Sequence, residues 1–75
     1  MEDMPTDPPI VVHPPQDETH PYRRVEISHV AVGRAFNIAD VIEFARRAGL
    51  DENFDATDPD LVKWRGGGPE DWSTA

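Results

Sequence analysis

The sequence predicts an α+β fold: a small β-hairpin packed on one amphipathic helix plus a short second helix, with a disordered N-terminal arm. Three observations carry this. Six of the eight prolines fall in residues 1–21. Apolar residues then alternate with polar or small ones from Val25 to Val32, the period of a half-buried strand. From Ile38 to Ala48 the apolar spacing changes to i, i+3, i+4, i+7, the period of a helix with one buried face. The domain is expected over residues 22–72, between the arm and a short tail at 73–75.

The arm comes first. Proline lacks an amide donor and pushes the residue before it out of the helical region, so this density argues against a helix and against a central strand. The segment also holds five acids and no Lys or Arg. Ile10-Val11-Val12 is its one apolar cluster and the one piece able to dock. The rest cannot bury enough surface to offset its ordering entropy. Pro5 and Pro8 match the PxxP spacing, a pattern common by chance in any proline-rich stretch.

The hairpin follows at Tyr22. Val25 and Ile27 share one parity, Val30 and Val32 the other, so a flat strand would turn them to opposite faces. A two-residue turn at Ser28-His29 resolves the conflict by pairing Ile27 with Val30 and Val25 with Val32. Ser-His is not the Asn-Gly type that favours such a turn, and a continuous bulged strand is the alternative. In the hairpin register Arg23 stands opposite Arg34, so a carboxylate is expected near the pair.

The helix is expected over about residues 38–48. Asn37 is a good N-cap, and Phe36 with Val41 has the spacing of a hydrophobic staple. Asp40 in the first turn and Arg46 and Arg47 in the last match the macrodipole, Glu43 can pair with Arg47, and Gly49 supplies the left-handed stop. An acidic loop leads to Asp58-Pro59, which reads as an N-cap and first helical position, so a short helix through about Trp64 is expected. Gly66-Gly67-Gly68-Pro69 ends it. The expected core is Val25, Ile27, Val30, Val32, Phe36, Ile38, Val41, Ile42, Ala45, Leu50, Leu61 and Trp64.

Charge is laid out in blocks. Residues 1–21 carry −5, residues 22–50 carry +2, and residues 51–75 carry −5, giving a net −8. A chain that grips nucleic acid needs an excess of cations on its docking surface, so this layout argues against nucleic acid as the partner. The central arginines, Arg23, Arg24, Arg34, Arg46 and Arg47, form the alternative: a small regulator touching nucleic acid, with local acids otherwise neutralising them. A helix-turn-helix is disfavoured by the long 51–58 connection and by acids at the head of its second helix.

No metal, cofactor or catalytic site is expected. The chain has no cysteine, and His13, His20 and His29 are scattered. The Gly66–Gly68 run lacks the Gly-Lys-Ser/Thr ending of a phosphate loop. No nucleophile elbow is present, and a chain of 75 residues can hardly enclose a pocket of ~300 Å³. An enzyme is not expected. No apolar run is long enough for a membrane span, and the absence of a signal-like start and of cysteine fits a cytoplasmic location.

The partner is therefore expected to be a protein or a second copy of the chain. A two-stranded sheet leaves open edges that recruit other strands. The candidate interaction residues are Arg23 and Arg34 on the hairpin, with Trp64, Arg65 and Trp72 around the glycine run. For the two tryptophans, folding back on the core and anchoring a partner are equally open.

Overall fold

A computed structural model describes residues 8–50 and 53–73. Its elements are β1 (Ile10–Gln16), β2 (Tyr22–Ile27), β3 (Val30–Ala35), α1 (Ile38–Arg47) and β4 (Val62–Trp64). The strands form one mixed sheet in the order β3-β2-β1-β4. β1–β2 and β2–β3 pair antiparallel, and β1–β4 pairs parallel. The α+β class holds, with four strands in place of two and one helix in place of two.

The first correction concerns the arm. Residues 10–16 are not a mobile tail but an inner strand of the sheet. Ile10 lies between Ile27 and Val62, and Val12 between Val25 and Trp64. Both side chains are fully buried. The apolar cluster thus docks, and prolines are tolerated because Pro14 and Pro15 fall where the ladder already breaks, between Val12 and Pro15. Asp17, at φ 69, turns the chain into β2 and accepts the amides of Thr19 and His20 on Oδ1. The remainder of the expected arm, residues 1–7, lies outside the described residues.

The hairpin turns at Ser28-His29, and Ile27 faces Val30 as the alternation requires. Both turn residues are left-handed, at φ 52 and 68. This is the primed geometry that suits the twist of a two-residue hairpin, held here without glycine. The rest of the register differs from expectation. A bulge between Val25 and Glu26 inserts Val32, so Val25 faces Gly33, Arg24 faces Arg34 and Arg23 faces Ala35. Val30, Val32 and Phe36 are exposed (62%, 38% and 53%) rather than core.

α1 has the expected bounds and caps. Asn37 Oδ1 accepts the Asp40 amide, and Asp40 Oδ2 accepts the Phe36 amide. Phe36 turns its ring edge toward Tyr22, at 6.3 Å. At the other end the Leu50 amide donates to the Ala45 carbonyl and the Gly49 amide to Arg46, the paired bonds of a Schellman stop. Glu43 reaches both Arg46 and Arg47 at 3.3 Å.

The second helix is absent. Asp58 makes a single turn, its carbonyl accepting the amides of Leu61 and Val62, and the chain then extends as β4. Val62 is buried, Lys63 exposed and Trp64 half-buried. That is a strand's alternation, and the free edge of β1 captures it. Helix α1 covers β3, while Trp64, Trp72 and Leu61 pack beside the buried cluster of Ile10, Val12, Val25, Ile27, Ala35, Val41, Ala45 and Val62.

Candidate functional site

Alternation along the strands gives the sheet a core face and an open face, and the expected site residues divide between them. Arg23 lies on the core face, fully buried. Its Nε donates to the His13 carbonyl at 2.8 Å. Nη1 donates to the carbonyls of Gly68 and Asp71, both at 2.8 Å, and Nη2 to those of Arg65 and Gly67, at 2.9 and 3.0 Å. All five guanidinium N–H groups are used. The guanidinium also lies over two aromatic rings, with Cζ 5.1 Å from the Trp64 centroid and 5.5 Å from that of Trp72.

The carboxylate expected beside Arg23 is replaced by backbone carbonyls. Burial pulls the guanidinium below its ordinary pKa, and the charge of Asp71 opposes that shift. Asp71 also braces the cage, accepting the Gly68 amide on Oδ2 at 2.9 Å. Gly66, at φ 75, makes the tight bend possible, and its Cα faces Pro14 so closely that a Cβ would lie 2.7 Å from the ring. The two indoles meet edge to face at 6.1 Å. Trp64 Nε1 donates to the Ala56 carbonyl and Trp72 Nε1 to that of Pro69. Both tryptophans therefore fold back onto the core.

Arg34 stands on the open face, with Cζ 4.7 Å from the centroid of Tyr22. Its neighbours there are Arg24 across the ladder and the exposed ring of Phe36. Arg46 and Arg47, by contrast, sit on α1 with Glu43. The five central arginines are thus split three ways, one in the cage, two on the helix and two on the open sheet.

Toward the hairpin turn the open face holds a groove of about 460 Å³, lined by residues that include His13, Glu26, His29, Lys63 and Arg65. His13 Nε2 and Glu26 Oε2 lie 2.9 Å apart. Among the described residues no carboxylate lies in ion-pair range of Lys63 or Arg65. No group of three or more possible metal ligands occurs among the described residues, and none of their helices is long and apolar enough to cross a membrane.

No protein-family model, curated protein or solved structure matches this chain. The geometry stands on its own.

Of the expected interaction residues, the structure brings Arg23, Trp64 and Trp72 into one cage, with Arg65 lending its carbonyl to the cage and also lining the groove. Arg34 stands apart. Sequence reasoning missed His13, Glu26 and Lys63 as neighbours, because it left 10–16 unstructured and read 62–64 as helix. The available signal was the apolar-polar-apolar alternation of Val62-Lys63-Trp64, residues that pair with Ile10, Val11 and Val12 in the sheet.

Proposed function

We propose that this protein is a non-enzymatic protein–protein interaction module that takes a partner strand on the free edge of β3, the second strand of the hairpin. The supporting observation is that edge itself. β3 ends the sheet, and its apolar residues Val30 and Val32, with Phe36 just beyond, are exposed. Exposed apolar edge strands pair readily with another chain, whether a second copy or a different protein. Trp64 and Trp72 serve this reading by holding the sheet together rather than by touching the partner.

The test is sedimentation equilibrium over a concentration series, with amide hydrogen exchange of β3. A second copy on the edge gives a dimer mass and slowed exchange at residues 30–35, both abolished by Val32→Lys. A monomer at all concentrations, with no protection of β3 when candidate partner proteins are bound, removes the edge from the account.

A second reading, a small regulator contacting nucleic acid, is supported by Tyr22, Arg24, Arg34 and Phe36 sharing the open face. The net charge of −8 opposes it. Titration of single-stranded and duplex nucleic acid at low salt decides: steeply salt-dependent binding lost in Arg24→Gln/Arg34→Gln supports it, and no binding ends it.

A further inference from the structure

Among the described residues, the lining of the groove on the open face holds more cations than acids. Residues 51–75 hold seven acids and only two cations, Lys63 and Arg65. Both cations line the groove, and neither has a described carboxylate partner. The one acid among the groove's described lining residues, Glu26, is hydrogen-bonded to His13. Positions 63 and 65 are two apart on one extended stretch, so they project to the same side.

The rim of the groove is the hairpin turn, whose residues Ser28 and His29 both line it.

Size and charge select the ligand. An extended polyanion would overrun a groove of about 460 Å³ and meet the net charge of −8 that the whole protein carries. A compact anion would not. Two adjacent cations match a dianion better than a single carboxylate, and a phosphate monoester carries about −1.5 to −2 at neutral pH. Val11 and Pro9 supply an apolar wall beside the charges. We propose that this groove binds a small phosphate monoester, with Lys63 and Arg65 on the phosphate and Val11 and Pro9 against its organic body.

The experiment is an amide NMR titration of the full chain with phenyl phosphate, inorganic phosphate, benzoate and benzyl alcohol. Phenyl phosphate is expected to give saturable shifts confined to residues 9–13, 26–29 and 62–65, with the other three probes weaker. Lys63→Gln/Arg65→Gln, at two exposed positions, should keep a dispersed spectrum and weaken binding by about tenfold or more. Arg46→Gln/Arg47→Gln should leave it unchanged. Equal affinity for inorganic phosphate would overturn the part given to the apolar wall. Non-saturating shifts, shifts spread over the chain, or a Lys63/Arg65 variant that binds as the parent does would overturn the site.

Discussion

Arg23 and Trp72 are far apart in the sequence and meet in the interior of the fold, guanidinium carbon to ring centroid at 5.5 Å. Arg23 enters from β2 and Trp72 returns from the glycine-rich strap. Each is half of the other's burial. A charge without an ion pair is costly to bury, and five carbonyls with two ring faces are what offset that cost.

Replacing Arg23 should therefore be the most damaging single change in the molecule. Arg23→Ala is expected to cost about 3–5 kcal/mol, comparable with the whole net stability of a domain this size. Arg23→Lys keeps the charge but offers three donors in place of the planar five, and should cost about 2 kcal/mol. Urea unfolding followed by tryptophan fluorescence measures both. Parent-like stability in Arg23→Lys would mean the fork geometry is immaterial.

Two glycines separate backbone strain from crowding. Gly49, at φ 89, has open space where a Cβ would go, so Gly49→Ala should cost only about 1 kcal/mol. Gly66, at φ 75, adds a clash with Pro14 to the same strain. Gly66→Ala should cost at least about 2 kcal/mol and loosen the strap. Thermal unfolding of the pair checks the difference; equal costs would remove the Pro14 contact from the explanation.

Asp55 offers a pH prediction. The Thr57 hydroxyl, at 2.6 Å, and then the Thr57 amide, at 2.9 Å, hold its carboxylate below the ordinary range. A lowered folded value stabilises the native state above the ordinary carboxylate pKa of about 3.9, and that contribution is lost as pH falls through the folded value. Thr57→Val should move the Asp55 midpoint upward in a carboxyl NMR titration. An unmoved midpoint would assign the shift to another cause.

The hairpin turn can be made easier. Ser28→Asn/His29→Gly places at both left-handed positions the residues that accept them, and should raise stability by about 1–2 kcal/mol. If His29 assists the groove, the same change weakens phenyl phosphate binding while raising the melting temperature. Stability and affinity rising together would detach the turn from the groove.

How much of this was legible in the sequence follows from the range over which each feature is decided. Helix α1 was readable from Asn37 to Gly49 because its caps, charges and apolar stripe all lie within its own span. The Ser28-His29 turn was readable from a parity change between Ile27 and Val30. The bulge at Val32 was not, since one inserted residue leaves the local pattern almost unchanged while shifting Arg23 and Arg34 to opposite faces. β1 was hidden by its prolines, which are acceptable only because the ladder breaks beside them. β4 was hidden by Asp58-Pro59, whose single turn ends when β1 offers Val62 and Trp64 a place. Arg23 was noticed as a charge in need of a partner, but no pattern marks five backbone carbonyls as that partner.

The strap that closes over Arg23 is synthesised after every described strand and the helix. A nascent chain that has already delivered the first three strands and the helix carries an arginine on its core face, with the acceptors at 65–71 not yet made. Nor can β1 gain its second neighbour before residues 62–64 exist. Closure of the core is thereby postponed until residues 62–71 have been made, because pairings so distant in sequence close late. Products cut short before residue 65 keep a hydrated cation where the core should close, and so remain open to proteases while chains that include the strap do not.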